Sequence, residues 1–227
     1  MHQTHNRLGL WASAVSLATF LLYTLCFVWI AVTQPPFAWT NAADYVAYVQ
    51  AHSQTPKLIA MALMILFSLS YLVQLECLRE RVAPSRALYL RIATHLAVAF
   101  SVLISVNYFI QLGAARLMIA AGQTQGIEHL VQANPHSAVF AVNLLGWTVF
   151  LGASCLFAAL ALGPGKPERV MRWAFGANAA MMLTCAGAYV LGNQIILAVF
   201  MFLGLGGAII VESAAMVRYF RRVQMAE

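Results

Sequence analysis

Apolar residues run through this chain in long, nearly unbroken stretches, separated by short polar connections. Six stretches reach the roughly 20 predominantly apolar residues that a membrane-crossing helix needs: about 8–33, 57–78, 87–117, 137–163, 170–191 and 194–217. None alternates with the period of two expected of a membrane barrel strand. The pattern therefore predicts an all-α, polytopic membrane protein, with six transmembrane helices in a single domain over 1–227. The first stretch lacks a small-residue cleavage site and is too long for a signal-peptide core, so it reads as a retained helix. The third is too long for a bilayer: at 1.5 Å per residue it reaches roughly 46 Å, against a hydrocarbon core of about 30 Å. Its end near Arg116 should tilt or project. Two three-helix halves would be inverted relative to each other, as in many transporters, but no motif recurs in register between them.

Composition narrows the class further. The chain is 62% hydrophobic and 9% charged, with a mean hydropathy of +0.78; a soluble domain carries roughly 25% charged residues. Intrinsic disorder is excluded on the same grounds. The net charge of +6 comes from residues between apolar spans rather than from one basic face, which argues against nucleic acid as a partner. Their distribution gives the orientation. Arg7, Arg79, Arg81, Arg86, Arg91, Lys166, Arg169, Arg172, Arg218, Arg221 and Arg222 fall on one side of the six-helix scheme, and only Lys57 and Arg116 on the other. The positive-inside rule then puts both termini in the cytoplasm. Cys26, Cys77, Cys155 and Cys185 all sit inside apolar runs without a Cys-x-x-Cys spacing, and read as small buried hydrophobes.

The connections differ in kind. Segments 79–86 and 163–169 are short, basic and punctuated by Pro84, Pro164 and Pro167, while Gly192-Asn193 is a tight turn joining an antiparallel hairpin. Two outer-face segments are longer. In 34–56, residues 41–52 read as a short helix capped by Asn41, with Trp39, Tyr45 and Tyr48 suited to the interface. In 118–136, Gly122 and Gly126 precede a short helical patch at Ile127–Val131, closed by Asn134-Pro135.

Two polar groups are candidates for chemistry. Ionisable residues inside a membrane are functional candidates by default, because burying them is costly. Glu76, Arg91, His95 and Glu212 fall at similar depth near the cytoplasmic edge, and a proton relay through them is one reading. The plainer reading pairs Glu76 with Arg79, gives Glu212 a salt bridge to Arg91, and leaves His95 a hydrogen-bonded core residue. Nearer the outside, Asn107, Tyr108 and Gln111 lie on the third helix beneath the long loops. There they form a prospective pocket with Trp39, Tyr48 and His136. Asn143, Asn178, Asn193 and Gln194 are further amides that could join this group; helix–helix hydrogen bonding is the plainer role for all of them. His52, His129 and His136, with Asp44 and Glu128, match no metal-site spacing, so no metal is expected. No cofactor is implied either: His95 alone cannot supply bis-histidine haem ligation, and no nucleotide fingerprint or nucleophile elbow occurs. Gly204 and Ala208, Gly206 and Gly207, and the Gly176, Ala180 and Gly187 series are expected to serve close helix packing.

The run Ser105-Val106-Asn107-Tyr108-Phe109-Ile110-Gln111 and the segment from Gly126 to His136 (GIEHLVQANPH) resemble a family of uncharacterised bacterial six-helix integral membrane proteins. In that family an Asn-Tyr-Phe-x-Gln run is followed by a Gly-x-Glu…Asn-Pro-His segment. The resemblance covers the third helix through the fourth. It implies a bacterial inner-membrane location and marks Asn107, Gln111, Asn134 and His136 at the outer face. It names no activity. The expectation is a bundle embedded in the lipid bilayer that binds a small apolar or amphipathic molecule or a lipid, or supports a protein partner, at an outer-face pocket. The alternative is a small proton-coupled transporter using Glu76, His95 and Glu212. A membrane-embedded enzyme ranks third, for want of a recognisable nucleophile–base pair.

Overall fold

The computed structural model describes residues 2–225, without the side chains of His2, Gln3, Lys166 and Pro167. The Lys166 charge counted above thus lies outside the described side chains. The described chain folds into helices only. In order these are α1 (His2–Thr33), the short α2 (Ala42–Ala51), α3 (Thr55–Arg79), α4 (Pro84–Ala120), α5 (Ala138–Ala161), α6 (Lys166–Val190) and α7 (Gln194–Met225).

The six long helices close into a ring. Each packs on the next along the chain (α1 on α3, α3 on α4, and so on), and α7 returns against α1. The closing contact runs close at a glycine: a Cβ on Gly9 would stand 2.5 Å from the Phe220 ring, so any other residue would require that buried ring to move. Arg81 Nε donates to Asn6 Oδ1 at 3.1 Å, and Arg86 Nη1 to the Leu162 carbonyl at 2.6 Å. These bonds gather the start of α1, the 80–86 turn and the end of α5 into an arginine-rich end. The opposite, loop end holds α2, the 121–137 segment and the turn at Gly192, with Phe140 and Tyr189 in ring contact there. Gly192 takes a left-handed φ of +69°, open to glycine with little strain.

Among the described residues, α1, α3, α4, α5 and α7 are long and apolar enough to cross a membrane. The stretch expected as the fifth of six spans is the 25-residue α6, which falls outside that set. Arg169, Arg172, Asn178 and Thr184 dilute its apolar run. The overlong third stretch is longer still: α4 covers 37 residues, roughly 55 Å at helical rise.

Three helices carry a π-helical turn, each with glycine in it: Gln111–Ala115 in α4, Leu145–Phe150 in α5 and Phe202–Ala208 in α7. A π turn widens the helix and rephases the side chains beyond it. Glycine packing is narrower than expected. Gly204 lies against Met182, where a Cβ would come within 2.2 Å of Cε, but Gly176, Gly187, Gly206 and Gly207 face open space. Small residues also meet between α1 and α3, where Ser16 Oγ meets Ser70 Oγ at 2.8 Å beside buried Ala12 and Ser13. At the ring's heart Phe67, Tyr71, Phe100 and Trp147 interlock, with Phe100 and Trp147 edge-on at 5.0 Å between centroids.

At the loop end a second, small core forms from Tyr45, Val46 and Val49 of α2, Ala115 and Ile119 of α4, and Ile127 and Val131. Asn41 caps α2, its Oδ1 accepting from the Asp44 amide at 2.9 Å. The second short element is a 3-10 turn, Ile127–His129, entered through Gly126 at φ +83° and anchored by fully buried Ile127.

Candidate functional site

The arginine-end residues do not form one cluster. Glu76 Oε2 pairs with Arg79 Nη2 at 3.3 Å, and both side chains stay about two-fifths exposed. Arg91 and His95 lie one turn apart on an exposed face of α4. Glu212 is elsewhere, at 1% exposure inside the ring. Because α7 packs chiefly on α1 and α6, an exposed face of α4 is beyond its reach. Among the described residues no ion pair links Glu212 to Arg91, and the expected salt bridge is not formed.

Glu212 instead ends a chain of neutral side chains. Asn178 Nδ2 of α6 donates to its Oε2 at 3.1 Å, and the Cys155 thiol of α5 to the same oxygen at 3.6 Å. Cys155 Sγ is 3.4 Å from the Tyr71 hydroxyl of α3, which is 3.3 Å from Ser154 Oγ. Ser154 in turn donates to the Ala93 carbonyl of α4 at 2.9 Å. Five of the six ring helices thus meet in one hydrogen-bonded chain. Of its members only Glu212 stood out in the sequence for its chemistry. Asn178 falls among the outer amides, Cys155 reads as a small buried hydrophobe, and Tyr71 and Ser154 carry no signal of their own in the sequence. Nearby chemistry is incompletely satisfied: Asn178 Oδ1, Ser213 Oγ and both amide atoms of Gln74 are buried without a hydrogen-bond partner. Gln74 escaped notice because one amide in an apolar helix has no sequence signature beyond its polarity.

The outer candidates separate into three places. Asn107 is buried and donates through Nδ2 to Asn143 Oδ1 at 3.0 Å, joining α4 to α5, with Tyr108 buried beside it. Gln111 opens the π turn of α4 and uses its amide on the loop backbone. Its Nε2 donates to the Leu130 carbonyl, and its Oε1 accepts from the Gln132 amide at 3.4 Å. The cleft that Gln111 lines with Tyr45, Lys57 and Arg116 measures about 40 Å³, room for a few waters. Tyr48 is occupied within its own segment, its hydroxyl donating to the Pro35 carbonyl at 2.9 Å and its ring 4.5 Å from that of His52. Of the amides grouped with this site, Asn143 joins Asn107, whereas Asn193 caps α7 by accepting from the Ile196 amide at 3.0 Å.

Trp39 and His136 do come together. They line an open groove of about 580 Å³ between the start of α2 and the 124–136 segment, with Asn41, Thr124, Gln125 and Glu128. The far wall is rigid because Asn134 holds it: its Nδ2 donates to the Glu128 carbonyl at 2.8 Å, and its Oδ1 accepts from the His136 amide at 3.0 Å. Glu128 and His129 lie 3.6 Å apart. Among the described residues no three of His, Cys, Asp and Glu gather as a metal site would require. Compared with known proteins, the chain matches no family model, no curated relative and no solved structure.

Proposed function

We propose that the chain is a six-span bacterial inner-membrane protein with both termini in the cytoplasm, and that it binds a small amphipathic molecule in the groove at its loop end. The orientation rests on the arginine-rich end; the sixth span is α6, whose Arg169 and Arg172 sit at that end. The bacterial setting rests on the resemblance of the Asn107–Gln111 and Gly126–His136 segments. One observation carries the binding reading: two segments some ninety residues apart in sequence face each other across a groove of about 580 Å³, within the roughly 300–1,000 Å³ range of small-molecule sites. An indole, an imidazole, a carboxylate and three amides line it. Trp39 offers an apolar face, while Glu128 and His136 supply polar contacts to orient a ligand.

Two measurements test this reading. Single cysteines at Ser85 and Gln50 should label from opposite sides of the membrane, and labelling from the same side would sink the six-span scheme. Native mass spectrometry of gently solubilised protein should show a small molecule carried by the wild type and lost when Trp39→Ala and His136→Ala are combined. Equal spectra for the two proteins would rule out the groove as the binding site.

A further inference from the structure

Of the chain's 13 lysines and arginines only Lys57 and Arg116 belong to the loop end, and they come from different helices. Both line the cleft of about 40 Å³ beside Gln111, and no carboxylate lines it with them. The two acidic residues of the loop end are engaged elsewhere. Asp44 Oδ2 accepts from Thr40 Oγ1 at 2.7 Å and from Asn41 Nδ2 at 2.8 Å. Glu128 lies 3.6 Å from His129 and faces the groove instead. Among the described residues neither Lys57 nor Arg116 forms an ion pair. Two like charges on one cleft repel each other, and a counter-charge between them removes that cost.

The π turn of α4 brings Arg116 to this place. In a regular α-helix Gln111 and Arg116, five residues apart, would point about 140° away from each other. With the i→i+5 bonding of the turn at Gln111–Ala115, residues five apart return to one face, and both side chains line the cleft. The hydrogen bonds there leave a set of donors with nothing to meet. The Tyr45 hydroxyl, on a side chain 3% exposed, accepts from Lys57 Nζ at 2.9 Å and donates to no described residue. That leaves the ammonium two hydrogens. Arg116 Nε is spent on the Leu112 carbonyl of its own helix at 3.0 Å, which leaves both Nη groups for an acceptor. The amides of the cleft, Gln54 and Gln111, donate to backbone carbonyls.

We propose that Lys57, Arg116 and the Tyr45 hydroxyl form a binding site for one dianionic phosphate, inorganic or at the end of a monoester. Such a group carries a charge of about −1.5 to −2 near neutral pH and three strongly accepting oxygens. It therefore matches two cations and three donor side chains at once. The cleft fits the group in size: about 40 Å³, at about 10–15 Å³ for an atom the size of a water oxygen, holds roughly three oxygens. The remainder of an ester lies outside. A carboxylate is a poorer match, because its two oxygens and single charge leave one cation and one donor unanswered.

The test uses the full chain in neutral maltoside micelles at about pH 7.5, where the phosphate is mostly dianionic. Its thermal midpoint is followed as inorganic phosphate replaces chloride at constant ionic strength, and as phosphatidate is mixed into the micelles in chloride buffer. Past half-saturation, each tenfold rise in the bound form should raise the wild-type midpoint by roughly 3–5 °C. A response to inorganic phosphate marks a soluble ligand, and a response to phosphatidate alone marks a lipid headgroup. Lys57→Gln and Arg116→Gln should each move the response to about tenfold higher concentration, and the two together should abolish it. Arg91→Gln, which removes a charge from an exposed face of α4 near the arginine-rich end, should leave it unchanged. Phosphorus NMR reads the same binding apart from stability, as broadening of the phosphate line by wild type and not by the double variant. A wild type indifferent to both probes would overturn the proposal. So would a double variant that keeps the full response, an Arg91→Gln protein that loses as much, or phosphatidylglycerol, a singly charged diester, acting as strongly as phosphatidate. None of these results bears on the groove, whose ligand is read by mass spectrometry.

Discussion

The two polar regions of this molecule spend their hydrogen bonds differently. At the loop end, side chains bond to backbone: Gln111 to Leu130 and Gln132, Asn134 to Glu128 and His136, Ser137 to Val131 and Phe140, Asn41 to Asp44. In the ring interior, the longest link between helices runs from side chain to side chain through Asn178, Glu212, Cys155, Tyr71 and Ser154, and only its end rests on backbone, at the Ala93 carbonyl. Bonds of the first kind fix a loop where backbone groups would otherwise go unpaired. Bonds of the second kind fix the mutual placement of whole helices, and they surround a buried carboxyl group that forms no ion pair among the described residues. Water can replace the first kind when the loop opens. It cannot easily replace the second.

The contrast is sharpened by deleting one amide from each region. Asn178→Ala removes the donor at 3.1 Å from a fully buried carboxylate. It should cost about 3 kcal/mol, the upper range for leaving such a group unsatisfied. Gln111→Leu frees the Leu130 carbonyl and the Gln132 amide close to solvent. It should cost about 1 kcal/mol, with faster hydrogen exchange confined to 127–137. Thermal unfolding in detergent, read beside exchange mass spectrometry, checks both. If Gln111→Leu proved the more damaging, or loosened the whole ring, the division between loop fastening and helix fastening would be wrong.

How much of this was legible in the sequence follows from the range of the interactions. The long helices, the capped α2, the turn at Gly192 and the short element after Gly126 all arise from local signals: apolar run length, Asn41 three residues before its acceptor's partner, and glycine where φ turns positive. The structure places each close to where the pattern predicts. The interior chain was not legible. Its members lie between 1 and 141 residues apart in sequence, and Cys155, Tyr71 and Ser154 are ordinary core residues until the ring brings them to Glu212. The π turns were equally silent, and they matter for the candidate site: with Gln111 opening one of them, helical geometry alone does not fix which way its amide points. Glu76 meets Arg79 as the plainer reading had it, whereas Glu212 forms no ion pair with Arg91 among the described residues. Counting residues from a span's start gives height along a helix, not which neighbour the side chain faces.

The smallest effect is expected at Glu76, the carboxylate that resembles Glu212 most in the sequence and least in the structure. Both fall toward the arginine-rich ends of their helices. Glu76 meets a guanidinium at 3.3 Å, one turn away on its own helix, with both side chains about two-fifths exposed. Exposed pairs of this kind contribute about 0.2–1 kcal/mol, because the charges are already well solvated and holding two long side chains together costs entropy. Glu76→Gln should therefore lower stability by about 0.3 kcal/mol, and added salt should shrink even that difference. The check is the thermal midpoint of Glu76→Gln against wild type at low and high salt, beside Glu212→Gln under the same conditions. A loss at Glu76 as large as that at Glu212, unchanged by salt, would mean that Glu76 also belongs to a dry site. The interior chain would then no longer be the distinctive polar centre of the ring.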